Sequence, residues 1–174
     1  MSQTVLVNLT PHPLTIFRKG EKREYPSLGV LRLTERTEEV SSPVDPGVPL
    51  VDKRFVNLEF QVRGPEEMDR LKRILSDPRY QVVVVASLPV LQAFATLDNV
   101  ERAEVLRKVF GTALGITVDA ACQLAAPDTG PDSAVRDENG RIVGVRRLIR
   151  SVEYDFARSV GMSRKRRLVS APGL

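Results

Sequence analysis

A single cysteine, Cys122, a single histidine, His12, and no tryptophan mark what this 174-residue chain does without. One thiol cannot close an internal disulfide, so a reducing compartment is expected. One histidine and one thiol also exclude a multi-histidine zinc site and a thiolate cluster. Aromatic residues are 5% of the chain, too few for a surface on which the bases of a single strand would stack. No run approaches about 18 apolar residues, and the start MSQTVLVNLTPHPL has neither a charged n-region nor a long apolar core. Neither a membrane span nor a signal peptide is therefore expected, and the cytoplasm is the default compartment. The patterns GxxxxGK[ST] and GxGxxG do not occur, which removes the standard nucleotide-binding loops. No cofactor is expected.

What is present is the composition of a folded domain. Apolar residues make up 42% and charged residues 28%, and 26 basic against 22 acidic residues give a net charge of +4. That mild surplus suits an anionic partner without requiring one. A chain of this length hides roughly 70% of its unfolded surface and is about one domain. The expected division is a β-rich part over about 1–50, an α/β part over about 51–160 and a basic tail over 161–174.

Read in order, Thr4 to Leu9 and Leu14 to Phe17 form strands on either side of Thr10-Pro11-His12-Pro13. Turns at Lys19 to Lys22 and Ser27 to Gly29 precede a short strand from Val30 to Leu33, which together suggest a small antiparallel sheet. The proline-dense stretch from Ser41 to Pro49 reads as a surface loop and a candidate boundary. Arg54 to Val62 alternates as a strand. Pro65-Glu66-Glu67 then opens a helix with Met68, Leu71, Ile74 and Leu75 on one face. Tyr80 to Ala86 is a continuous apolar run, the signature of a central strand covered on both faces. Ser87 is placed to cap a helix bearing Val90, Leu91, Phe94 and Leu97, and a second helix from Val100 to Phe110 is expected to stop at Gly111. Ile116 to Val118 and Ala121 to Ala126 are further strand candidates. The fold class is α+β or α/β: a mixed sheet around the strand near 80–86, two to three helices, an N-terminal antiparallel β part and a C-terminal β-hairpin.

The hairpin comes from Ala126 to Leu148, a segment dense in acids and arginines. Asn139-Gly140 lies between Ala134-Val135-Arg136 and Arg141-Ile142-Val143, and Asn-Gly readily takes the positive φ values of a tight turn. Before it, Pro127 to Ser133 is a polar loop stiffened by two prolines and suited to presenting groups. Asp128, Asp132 and Asp137 offer oxygens for a divalent cation, but their spacing is not that of a calcium loop, and such acids commonly cap turns. Gly130 frees backbone N–H groups for an anion, as does Ser87 at its strand-to-helix junction. If the strand near 80–86 and the segment ending at Ala126 lie side by side, their loops open at one edge, where ligands of α/β sheets bind. His12 is either a loop residue held by its prolines or a ligand or acid/base group. It could serve a Ser-His-Asp set only once, with Ser87 or Ser133, neither of which sits in a GxSxG elbow. Arg136, Arg141, Arg146 and Arg147 carry planar forks that fit phosphate or carboxylate, or else form a solvated face paired with nearby acids. Cys122 reads as a small core residue.

The N-terminal NLTPHPLTIF, the PSLG at Pro26 to Gly29 and PDTGPDSAVRDENGRIVGVRRL resemble a group of uncharacterised proteins of phage and bacterial genomes, which share an LTPH start and a VRDxxGRIxGxR end. The likeness covers the two ends of the chain more than its middle and implies a phage-encoded or mobile-element accessory protein, without an activity. The pairing of the two motifs suggests that His12 and the Asp128 to Arg147 segment meet in space.

Three functional readings result. In the first, a non-enzymatic protein binds an anionic small molecule such as a nucleotide through Thr10, His12, Asp128, Thr129, Asp132 and Ser133, with countercharge from Arg136, Arg141 and Arg146. In the second, a nucleic-acid-binding or virion-assembly protein uses Arg146, Arg147 and the tail residues Arg164, Lys165, Arg166 and Arg167. The third is a hydrolase with His12 and Asp128 as its acid/base pair. An oligomer is compatible with each.

Overall fold

Three parallel strands frame the computed structural model, which describes residues 3–40, 47–153 and 155–161. In chain order the elements begin with β1 (Gln3–Asn8), β2 (Leu14–Arg18), β3 (Glu21–Tyr25), β4 (Gly29–Glu39) and β5 (Val51–Val62). Then come α1 (Pro65–Leu75), β6 (Tyr80–Val85), α2 (Leu88–Ala93), α3 (Asn99–Leu114) and β7 (Ala121–Pro127). The chain continues through β8 (Ala134–Arg136), β9 (Ile142–Val145), β10 (Leu148–Ile149) and α4 (Phe156–Ser159). One sheet has the order β1-β6-β7-β10, a second β3-β2-β9-β8, and β4 pairs with β5 alone. This is an α+β architecture with mixed sheets.

The apolar run of β6 places it between β1 and β7, with Val82 opposite Val5 and Cys122, and Val84 opposite Val7 and Leu124. Strand alternation sends these side chains to one face, where they join Leu31, Leu71, Leu75, Leu91, Leu106 and Phe110 in the main core. The opposite face turns Leu6, Val83 and Val85 toward Leu14, Ile16, Tyr25, Val145 and Leu148. The central sheet is thus covered on one side by helices and the root of the β4–β5 hairpin, and on the other by the smaller sheet. Phe60 meets Phe110 edge to face, with ring centroids 5.1 Å apart, and so fixes β5 to α3.

Local chemistry explains the helix bounds. Pro65 stands in the first turn of α1, with Glu66 and Glu67 beside the positive end of its dipole. Asp98 and Glu101 close a reciprocal capping box at the start of α3. Gly111 does not stop α3, as the sequence suggests; the helix runs on to Leu114 and ends at Gly115, whose φ of 66° is left-handed. A mid-helix glycine costs only about 1 kcal/mol relative to alanine, less than burying Leu106, Phe110 and Leu114 on one face returns.

Four further differences from the sequence expectation have physical causes. β1 leaves the N-terminal antiparallel part to pair in parallel with β6, and the antiparallel pairs there are β2–β3 and β4–β5. β4 and β5 flank the proline-dense stretch and pair with one another along their length; residues 41–46 lie outside the described residues. Ile116 to Val118 forms no strand, because the following Asp119 and Ala120 N–H groups donate to the Leu75 carbonyl at the end of α1. The Asn139-Gly140 turn has positive φ at Gly140 alone, and Asp137 closes it by accepting from Asn139 N and Arg141 N. The expected basic tail, with Arg164 to Arg167, lies outside the described residues. Among the described residues no helix is long and apolar enough to cross a membrane.

In the second sheet β2 and β9 approach closely at Gly144. Ile16 of β2 pairs in parallel with Val145 of β9, so the Phe17 ring lies over the Gly144 backbone. A methyl group at Gly144 would run into the Phe17 ring edge and stand 2.8 Å from the Thr15 carbonyl oxygen. Gly144→Ala is expected to cost roughly 1–3 kcal/mol through overpacking, measured by urea unfolding, with the far-ultraviolet spectrum unchanged.

Candidate functional site

The parallel strands β1, β6 and β7 all point their carboxyl ends the same way, and the loops that leave them form one cleft. It encloses about 380 Å³. Thr10, His12 and Pro13 come from the turn after β1, Ser87 and Leu88 from the junction after β6, and Pro127 and Thr129 from the loop after β7. Ile142 and Val143 of β9 form an apolar wall and remain exposed, at 42% and 45%. Thr10, His12 and Thr129 therefore share one site, and both sequence motifs reach it.

The turn that carries His12 is held from below by Asn8, which is 1% exposed at the end of β1. Its amide nitrogen donates to the carbonyls of His12 (2.8 Å) and Tyr25 (3.0 Å). Its oxygen accepts from the Thr10 N–H (3.0 Å) and the Thr10 hydroxyl (2.6 Å). All four hydrogen-bonding positions of the side chain are thus filled. Two more clamps complete the turn: the Ser27 hydroxyl donates to the Thr10 carbonyl at 2.6 Å, and Arg63 donates to the Pro11 carbonyl at 2.9 Å. With three successive carbonyls fixed and two prolines limiting φ, the backbone is rigid while the His12 side chain stays exposed. Sequence reasoning missed Asn8, Ser27 and Arg63. The only local signal was an asparagine ending a β-branched strand.

On the far side the loop after β7 is tied to the chain beyond the hairpin. Asp128 accepts from the Gly130 N–H (3.0 Å) and from Arg147 Nε (2.6 Å), and its side chain is only 14% exposed. The Arg147 guanidinium, followed by the Gly130 N–H, holds the Asp128 carboxyl below its ordinary value. Ser133 is wholly buried, and its Oγ accepts from the Arg146 and Arg147 N–H groups, both at 3.1 Å. Asp128 and Ser133 thus shape the loop from behind and do not line the cleft. Asp132 is exposed on the same loop. Arg136 donates to the Gly140 carbonyl and Arg146 to the Ala134 carbonyl (3.4 Å). With Arg141 they stand exposed on the hairpin, outside the cleft lining.

Burial pushes the Cys122 thiol up to about 11, which leaves no thiolate nucleophile near neutral pH. Among the described residues no group of His, Cys, Asp and Glu could hold a metal ion. His12 lines the cleft whereas Asp128 is committed to Arg147, so the two are not assembled as an acid/base pair. No protein-family model, curated protein or solved structure matches the chain.

Two outcomes test this architecture. Asn8→Ala removes a donor from the Tyr25 carbonyl and the acceptor of the Thr10 N–H, and leaves the His12 carbonyl only the Thr10 hydroxyl; it is expected to cost roughly 1–3 kcal/mol in urea unfolding, with mobility of the His12 turn in hydrogen exchange. Asp128 has a lower pKa folded than its ordinary 3.8, so its contribution to stability is complete above that value and is lost as pH falls through the folded pKa. Asp128→Asn should therefore lower the melting temperature at pH 7 and change it little at pH 2.

Proposed function

We propose that this chain is a non-enzymatic binding protein that holds an anionic small molecule, of which a nucleotide is the type, in the cleft over β1, β6 and β7. The observation that carries the reading is the convergence of Thr10, His12, Ser87 and Thr129 beside the exposed apolar wall of Ile142 and Val143. An apolar wall accepts a ring, and a few hydroxyls with an imidazole orient a polar end. Pockets at the carboxyl edge of parallel strands are the usual ligand sites of such sheets. The exposed Arg136, Arg141 and Arg146 add positive field at the neighbouring hairpin, which favours an anion over a cation. The setting we assign, from the two terminal motifs, is that of a phage or mobile-element accessory protein.

The hydrolase reading has less support, because Asp128 faces Arg147 and stays ionised. The nucleic-acid or assembly reading rests on Arg146 and Arg147 and on Arg164, Lys165, Arg166 and Arg167. A truncation separates it from the first: deletion of 163–174 should abolish salt-sensitive DNA or RNA binding and leave the cleft ligand bound.

A thermal-shift panel of nucleotides, followed by calorimetry on any hit, checks the proposal directly. Binding is expected to weaken more than about tenfold on Val143→Trp, which fills the cleft from an exposed position, and on His12→Ala. A flat panel on well-folded protein would sink it, as would a hit indifferent to both substitutions.

A further inference from the structure

The outer half of the β4–β5 hairpin lies outside both apolar cores. Leu33 and Leu58 at its root pack on the main core, whereas residues 35–39 and 51–57 are all exposed. On the face that continues from Leu33, register sets Glu35 opposite Phe55, Thr37 opposite Lys53 and Glu39 opposite Val51. Phe55 is 56% exposed, and Val51, Val56 and Leu50 are also open to solvent. The other face carries like charges in direct opposition: Arg36 faces Arg54, and Glu38 faces Asp52. Such pairs are unfavourable across a strand pair. None of these four residues has an ion-pair partner among the described residues. A lone two-stranded ribbon is also marginal in water, and among the described residues β5 pairs only with β4.

The order of residues along β5 says what fits that open edge. From Leu50 to Val56 the chain reads Leu-Val-Asp-Lys-Arg-Phe-Val, which has the same chemical order in both directions about Lys53 except that the charges beside it invert. A strand with that pattern is complementary to itself when antiparallel. Two copies related by a two-fold axis at Lys53 bring Asp52 opposite the other copy's Arg54 on one face. On the other they bring Val51 opposite Phe55, with Leu50 and Val56 paired beyond. Each copy's repelling Arg54 and Asp52 gains an opposite charge, and the exposed apolar residues gain cover. Lys53 meets its own symmetry mate at the axis, but its ammonium leans to Glu35 of its own hairpin, 3.4 Å away, which offsets that repulsion.

We propose that a second copy of this chain adds its β5 to this edge, antiparallel and centred on Lys53, to give a two-fold symmetric dimer with a four-stranded ribbon. The interface is isologous, so it closes at two copies and does not propagate.

The test is the oligomeric state of the full chain by sedimentation and light scattering, with charge reversals at exposed positions that leave the core untouched. Wild type is expected to be dimeric at about 100 µM, with dimerisation weakening as salt rises. Asp52→Arg alone and Arg54→Asp alone should each weaken it at least about tenfold, with circular dichroism unchanged. The double exchange should restore it, and an equimolar mixture of the two single variants should give a heterodimer. A monomeric wild type at that concentration overturns the proposal. So does a dimer indifferent to both single reversals, because its interface then lies elsewhere.

Discussion

The buried amide of Asn8 joins three parts that the chain brings from different places: the end of β1, the turn that carries His12, and the strand end at Tyr25. An amide this deeply buried is costly if any donor or acceptor is left unmet, and favourable when all four are met. The cost enforces a single arrangement. Any conformation of the turn that moves Thr10 or the His12 carbonyl strands polar atoms away from water. Its rigidity therefore comes from a polar network, with the two prolines only narrowing what the network must hold.

On the facing side an ionic network does the corresponding work. Asp128 and Ser133 attach the loop after β7 to the backbone and side chains at 146–147, and so align the hairpin wall with the cleft. A carboxylate that accepts from an arginine Nε and a backbone N–H is strongly oriented, and that commitment removes it from the surface a ligand would touch. On this side of the cleft the residues that build the loop, Asp128 and Ser133, are thus distinct from Pro127 and Thr129, which line it, although they neighbour each other in sequence. Thr129 lines the cleft between two residues, Asp128 and Gly130, whose mutual hydrogen bond holds the loop.

That separation explains what could be read in the sequence. β6 was legible because four consecutive valines have one physical destination, and α1 because Pro65 and its acids act within one turn. The hairpin was legible in place but not in turn type, since the Asp137 carboxylate takes over the role that positive φ at Asn139 would have played. β3 was not legible: Glu21 to Tyr25 has no apolar alternation, and it is a strand only because β2 offers it a ladder. Stiff turns and motif spacing point to Thr10, His12 and Thr129, which line one cleft. Asn8 carries little local signal because its bonds reach Tyr25, and Asp128 hides its pairing because its partner Arg147 lies 19 residues along the chain.

The parallel contact of Ile16 with Val145 has a consequence for how the molecule comes to exist. Contacts that join distant parts of a chain must first overcome the entropy of closing a long loop, so they form late. During synthesis the turn carrying His12 emerges well before the hairpin wall. Until Val145 has left the ribosome the wall of Ile142 and Val143 cannot be paired to β2, so the floor of the cleft can form before its wall.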